Sequence, residues 1–334
     1  MTIAVVILNF NGEEHLRRFL PSVVEFSGDK AQIIVADNGS CDGSCGFVRE
    51  VFEGSVQLIE LGRNHGFAEG YNRALRGLDH DIFILLNSDV EVTAGWIEPL
   101  IERFVAHPSA AVVGSKLRSV NRPEMFEYAG ASGGFIDYLG YPFCRGRVLG
   151  SIERDEGQYD DAREVFWVSG AAFACRRDRF ETAGGFDGDL FAHMEEIDLC
   201  WRLQLLGYTI HIEPRSVVYH LGGGTLNVDS PFKTMLNHRN NLAMLFKCAP
   251  TMQRLTVAVV RPLLDLLAAL SYLLQGRARS AAAVGKAWCQ FIQWHGALAT
   301  KRKAIRSGVV TEATYIYKGS ILLRKLLGSA RSPL

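Results

Sequence analysis

The first ninety residues alternate between short apolar runs and longer stretches with helical spacing. Ile3-Ala4-Val5-Val6-Ile7-Leu8 is an unbroken apolar run that gives way to Asn9-Phe10-Asn11-Gly12. It reads as a strand covered on both faces and ending in a polar loop. Leu16, Phe19, Leu20 and Val23 recur at helical spacing and predict a helix near 13–26. Residues 32–36 predict a second strand ending at Asp37-Asn38-Gly39-Ser40, followed by a helix near 42–53 and a strand at 55–61. Asn64-His65-Gly66-Phe67-Ala68 then opens a helix reaching Leu78, and the apolar run 82–86 leads through Asn87-Ser88 to Asp89. A βαβαβαβ order implies a mostly parallel sheet with its strand-end loops gathered on one edge. Asn9, Asn11, Asp37, Asn64 and Asp89 all stand in such loops, where open α/β sheets bind ligands. Each alone is an ordinary cap or turn residue. Their convergence on one edge favours a nucleotide pocket.

Beyond residue 90 the pattern predicts a helix at 94–106, a strand at 110–114, a short strand near 166–168 and a short helix at 179–183. The Gly- and aromatic-rich stretch 130–150 reads as a flexible loop over the site. Glu195-Glu196-Ile197-Asp198 opens a helix that runs through Leu206 and stops at Gly207. One acid that holds a divalent cation, Asp89, and another that accepts a proton make a two-part site suited to group transfer from a phosphorylated donor. The alternative for the second cluster is an acidic first turn favoured by the helix dipole. Arg202 is the i,i+4 partner of Asp198. Trp201 is either a sugar-stacking ring or a core residue. Arg145 and Arg147, in the glycine-rich stretch, are candidates for diphosphate contact.

Charge divides the chain in two. Residues 251–334 carry 13 Lys and Arg against Asp265 and Glu312, so the tail is +11 and residues 1–250 are −11. Such a split argues for an anionic partner of the tail. The apolar stretch 251–275 is interrupted by Arg261, Pro262 and Asp265, short of an uncharged membrane span. Arg277, Arg279, Lys286, Lys301, Arg302, Lys303 and Arg306 follow, interleaved with Trp288, Phe291 and Trp294. This pattern predicts helices lying on an anionic membrane surface. A helical hairpin packed on the main domain, or on the second copy of a homodimer, is the alternative. Nucleic acid is a weaker rival, because the basic positions alternate with long aliphatic stretches. The seven scattered cysteines and the absence of a leader predict a reduced, cytoplasmic protein.

The order of motifs resembles the inverting glycosyltransferases of family 2. The matching segments are Val6-Ile7-Leu8-Asn9-Phe10-Asn11, Val35-Ala36-Asp37-Asn38-Gly39-Ser40, Asn64-His65-Gly66-Phe67-Ala68, Leu85-Leu86-Asn87-Ser88-Asp89, Glu195 through Arg202, and Val218-Tyr219-His220. The closest flavour is the bacterial rhamnosyltransferase-like branch that builds surface polysaccharides. The resemblance implies a GT-A fold: α/β, Rossmann-like, with a mostly parallel central sheet flanked by helices and a C-terminal helical extension. It implies a catalytic domain over 1–240, with a nucleotide-sugar half at about 1–115 and an acceptor half at about 116–240. A basic, apolar, membrane-associated extension follows at 241–334.

It further implies Glu196 as the base with Glu195 beside it, and Asn9, Asn11, Asp37, Asn64, Asn87 and Asp89 around the donor. Mg2+ or Mn2+ would be held by Asp89 and His220. The partners it implies are a nucleoside-diphosphate sugar, a glycan or polyprenyl-linked acceptor and the inner face of the cell membrane, but no nucleic acid. Two departures stand out. Asn87 replaces the first acid of the family's Asp-x-Asp, and Glu196 stands where the family carries Asp. The rival reading is a non-catalytic sugar-nucleotide or membrane scaffold with a decayed site. A nucleotidyltransferase is disfavoured because no basic Gly-rich loop follows the first strand. A Rossmann dehydrogenase is disfavoured because no G-x-G-x-x-G does.

Overall fold

The computed structural model describes residues 1–222, 230–328 and 332–333. Its first part realises the expected alternation: β1 (Ile3–Asn9), α1 (Glu13–Ser27), β2 (Gln32–Asp37), α2 (Ser44–Val51), β3 (Gln57–Glu60), α3 (Gly66–Leu75) and β4 (Ile82–Asn87). β1 lies between β2 and β4, β3 lies outside β2, and all three pairs are parallel. The strands are apolar at nearly every position because both sheet faces are covered. Val6, Ile34 and Leu85 face Ala68 and Tyr71 of α3, whereas Val5, Ile33 and Ile84 face Leu16 and Leu20 of α1.

Further along come β5 (Val90–Val92), α4 (Glu98–Ala106), β6 (Ala110–Ser119), β7 (Gly134–Asp137), β8 (Pro142–Cys144), β9 (Arg147–Val148), β10 (Ser151–Ile152), β11 (Arg163–Glu164), β12 (Ala172–Arg176), α5 (Arg177–Thr182), α6 (Glu195–Leu205) and β13 (Thr209–His220). The nine-stranded sheet runs β11-β13-β6-β12-β4-β1-β2-β3, with β5 paired to β13. β12 is antiparallel to both β4 and β6, so the sheet is parallel from β4 to β3 and mixed beyond.

Two expectations fail here. The stretch 130–150 is not a flexible loop: β7, β8 and β9 belong to a second sheet, with the Phe135 and Phe143 rings fully buried and stacked 5.7 Å apart. Its glycines mark close approach rather than mobility. A Cβ on Gly134 would lie 2.1 Å from the Trp167 ring. Residues 166–168 are not a strand either. Trp167 forms an isolated bridge to Gly134, its indole N–H donates to the Phe135 carbonyl at 3.0 Å, and the strand proper begins at Ala172.

The tail forms α7 (Pro231–Cys248), α8 (Thr251–Leu274), α9 (Ala278–Gln293), α10 (His295–Ser307), β14 (Ile316–Tyr317) and α11 (Ile321–Leu326). α7 packs against α6, α9 and α10, and the division expected at 240 falls inside it. β14 pairs with β7, and the Ile321 N–H donates to Asp137 at 3.0 Å, so the chain end returns to the second sheet.

α8 is continuous through Pro262, and the two charged residues that interrupt its apolar run, Arg261 and Asp265, face inward. Its buried side is Gln253, Val257, Arg261 and Asp265, at successive i+4 spacing. Arg261 donates to the Leu139 carbonyl, and Asp265 accepts from the Trp288 indole at 3.0 Å and lies 3.1 Å from His238 Nδ1. Val259, Leu263, Leu266, Leu267 and Leu274 point outward, 61–83% exposed. The helix is inside out, polar toward the protein and apolar toward solvent. Trp288 is committed to Asp265, and Trp294 lies under the Arg239 guanidinium at 4.2 Å.

Candidate functional site

The carboxyl ends of β1, β2 and β4 lie side by side, which brings the strand-end residues together as expected. In the parallel register Asn9 pairs with Asp37 and Leu8 with Asn87. The Asn9 amide donates to Asp37 at 3.1 Å and to the Ser40 hydroxyl at 3.2 Å. Asp37 accepts from the Gly39 and Ser40 N–H groups, and Asn11 is held by Ser40 and Cys41. Asn38, which sequence reasoning passed over, locks the next loop. It donates to Asn64 and to the Gly66 carbonyl and accepts from the His65 N–H. The side-chain oxygen Oδ1 of Asn9 is buried and has no partner among the described residues. A buried acceptor left open in this way points to a donor from outside the chain.

Asp89 follows β4 and is 6% exposed. Its Oδ1 lies 3.1 Å from Nε2 of His220, the last residue of β13, because β13 pairs with β5 just after Asp89. The other ring nitrogen, Nδ1, lies 3.3 Å from Glu127 Oε2. Glu127 is a residue the sequence did not flag; it sits in an irregular segment after β6, with no periodicity or motif to mark it. Burial alone would lower the His220 pKa, but the two carboxylates outweigh it and push it up to about 10. Burial alone would raise that of Asp89, but His220 holds it below the usual range. With the proton between them displaced, His220 Nε2 and Asp89 could ligate a divalent cation that shares its remaining positions with phosphate oxygens and water. Glu127 lies across the ring, and among the described residues no three His, Cys, Asp or Glu side chains could jointly hold one ion. The segment 223–229, with Gly223 and Gly224 of the glycine run after His220, lies outside the described residues.

The acidic cluster divides into two functions. Asp198 is fully buried, with Arg202 donating to it at 2.8 Å and Lys247 at 2.7 Å; it ties α6 to α7. Glu195 and Glu196 open α6, and each keeps one buried oxygen without a partner among the described residues. A Cβ on Gly170 would lie 3.7 Å from Glu196, and the adjoining Ala171 carbonyl accepts from the Asn87 N–H. Glu196 therefore borders the same sheet edge. Burial pushes its pKa up to about 7. That of Glu195 is raised well above the usual carboxylate range, by burial and then by Glu196. The pair thus carries a single negative charge, on Glu196, once the pH rises above about 7.

The helix start is under local strain. Phe191, His193 and Met194 have φ of 66°, 68° and 71°, a left-handed region costly for residues with a side chain. Asn240 of α7 offsets this. Its amide donates to the carbonyls of Leu190, Ala192 and His193 at 2.8–2.9 Å. The extension therefore shapes the site rather than hanging from it. Of the remaining candidates, Trp201 is core, packed edge-on against Phe166, and Arg145 is paired with Asp161.

This arrangement, a parallel nucleotide-type edge joined to an acidic helix start across a mixed sheet, is the GT-A architecture of glycosyltransferases. Residues 4–178 match the family described as Glycosyl transferase family 2, and the chain belongs to that family. It is 28% identical over 242 residues to N-acetylglucosaminyl-diphospho-decaprenol L-rhamnosyltransferase of Mycobacterium tuberculosis, covering 67% of this chain and 77% of that protein. Among solved structures, it resembles GalNAc-T7 with UDP, GalNAc and Mn2+, at a TM-score of 0.58 and 18% identity, covering 74% of this chain and 48% of that one. It also resembles the mannosyltransferase PcManGT from Pyrobaculum calidifontis in complex with GDP-Man and Mn2+, at 0.52 and 16%, covering 92% and 85%. The chain is a glycosyltransferase.

Proposed function

We propose that this enzyme moves a sugar, with inversion, from a nucleoside-diphosphate sugar to a hydroxyl of a glycan or polyprenyl-linked acceptor in bacterial surface polysaccharide synthesis. The observation that carries this reading is the pairing of two chemistries on one sheet edge: the Asp89–His220 pair at the end of β4, and the Glu196 carboxylate at the start of α6. The name of the mycobacterial relative, with its diphospho-decaprenol acceptor, supports the acceptor class.

The donor nucleotide rests against Asp37, Asn9, Asn11 and Asn64, with the open side-chain oxygen Oδ1 of Asn9 accepting from it. Asn87 and Asp89 face the diphosphate. Glu196 takes the proton of the acceptor hydroxyl as its oxygen bonds to the anomeric carbon. The bond from that carbon to the phosphate oxygen breaks on the opposite face, and the nucleoside diphosphate leaves with the electron pair. Glu195, kept protonated, leaves the single charge of the pair on Glu196.

Asp89 and His220 are the residues that would hold Mg2+ or Mn2+. When bound, such an ion neutralises the charge growing on the leaving diphosphate. Glu127 places a carboxylate 3.3 Å behind the His220 ring, the position carboxylates take behind metal-bound histidines, although Nδ1 has no aligned hydrogen bond to it in this state. Glu127→Gln is expected to weaken Mn2+ binding about 10- to 100-fold. Calorimetric titration of Mn2+ into the protein without donor checks this; unchanged affinity removes Glu127 from the account.

The extension lies on the membrane through the outer face of α8. A helix that buries Arg261 and Asp265 and exposes Val259, Leu263, Leu266 and Leu267 has its partner outside the protein. Peripheral attachment at the cytoplasmic leaflet would bring the site to a lipid-linked acceptor. The functional reading is tested by incubating the protein with a panel of nucleotide sugars and polyprenyl-diphosphate sugars. Acceptor-dependent release of nucleoside diphosphate is the expected result; donor binding without turnover on any acceptor would favour the scaffold reading.

A further inference from the structure

At the far end of α7 a shallow cavity of about 420 Å3 opens between α7, α8 and α10. Its lining includes Phe246, Arg254, His295, Arg302, Lys303 and Arg306, and no acid. These groups differ in how far their charge is already met. Arg306 is paired with Glu312. Arg302 donates to the carbonyls of Phe246, Lys247 and Ala249, neutral acceptors that leave its charge uncompensated. Arg254 lies over the Phe246 ring at 5.3 Å. Lys303 has no hydrogen bond or ion pair among the described residues. Burial, together with repulsion from Arg254 and Arg306, pulls the Arg302 pKa down. The cavity therefore gathers Arg254, Arg302 and Lys303 with no acid on its lining, and the counter-charge Arg302 feels from Glu312 is already bound to Arg306.

The cavity also receives the start of α8. Thr251 lines it as the first residue of a 24-residue helix whose N-cap, Pro250, supplies no side-chain cap. Unmatched backbone N–H groups at such an end add partial positive charge. Next to Arg254, Met252 and Leu255 are 72% and 54% exposed, and they begin the outward apolar face of α8. A cationic hollow thus meets an apolar strip at one rim. The catalytic edge is elsewhere. α7 meets the segment before it at Phe232, which packs on Phe191, and at Asn240, which braces the turn ahead of Glu195 six residues before Phe246, about 9 Å along the helix.

We propose that this cavity binds the phosphate of an anionic lipid headgroup, with the acyl chains along α8. Resting on the membrane reading above, the proposal adds a specific anchor: one phosphate, three cations and a helix start, apart from the site of transfer. A free phosphate anion offers the same chemistry, so the test separates the two sources.

The test uses the full chain. Arg254→Gln/Lys303→Gln removes two cations that bridge no other element through hydrogen bonds. Arg279→Gln/Lys286→Gln removes two exposed charges of α9 as a control for net charge. Each protein is floated with phosphatidylcholine vesicles, with and without phosphatidylglycerol, and titrated with inorganic phosphate; nucleoside-diphosphate binding verifies the fold. Wild type should prefer phosphatidylglycerol vesicles, and the cavity variant should lose about tenfold or more of that affinity while the control keeps most of it. Phosphate binding that the cavity variant loses, in a protein that floats with neither vesicle, would keep the site, give it a soluble ligand and sink the membrane reading. Equal losses in the two variants would overturn the cavity as a site. So would strong flotation indifferent to phosphatidylglycerol with no phosphate binding, although α8 would then still hold the membrane.

Discussion

Glu196→Gln should bind donor normally and lose about two to four powers of ten in turnover. The amide keeps the shape of the side chain but cannot take the hydroxyl proton, and a positioned base contributes a factor of that size. The pH profile sharpens the assignment. Burial pushes the Glu196 pKa up to about 7, so the carboxylate is protonated and idle below that value and charged above it. Turnover in the wild type should therefore rise with pH and level off above about 7, and the residual activity of Glu196→Gln should lose this limb. Stopped assays of nucleoside-diphosphate release across pH, with donor affinity measured separately, provide the check. Near-normal turnover in Glu196→Gln, with the loss appearing in Glu195→Gln, would move the base one residue back.

Asp198→Asn should fail differently. Asp198 is fully buried against Arg202 and Lys247, and the substitution leaves Arg202 facing a neutral amide, while Lys247 keeps its second partner, Asp187. Breaking a buried pair from one side costs about 3–5 kcal/mol, because the remaining charge is stranded out of water. That is a large share of the roughly 5–15 kcal/mol that holds a typical domain together. Denaturant unfolding should show the loss, while turnover at low temperature stays close to normal in the fraction still folded. Full stability with abolished turnover would make Asp198, not Glu196, the proton acceptor. Two acids two residues apart thus separate into chemistry and architecture.

The donor edge was legible in the sequence because it is built locally. Each apolar run ends in an Asn- or Asp-bearing turn, and parallel topology alone gathers those turns, as Asn9 opposite Asp37 shows. Arg202 was legible for the same reason, since its partner lies one helical turn away. Glu127 was not, because its role arises only when an irregular segment after β6 folds beside the end of β13. The second sheet was misread because glycine was taken for freedom, where Gly134 instead makes room for Trp167. In α8 the apolar run was plain, but its orientation was not. The inward face emerges from partners far along the chain, Leu139 for Arg261 and Trp288 for Asp265. Asn240 belongs to the same class: an unremarkable residue of α7 that matters because it meets three carbonyls of a strained turn about fifty positions earlier.

The central claim is a single displacement in which Glu196 activates the acceptor hydroxyl on the face opposite the leaving diphosphate. The most direct measurement is the anomeric configuration of the first product, read by proton NMR on a reaction with the donor and acceptor that support turnover. The account predicts a linkage of opposite configuration to the donor sugar; a retained configuration would contradict it.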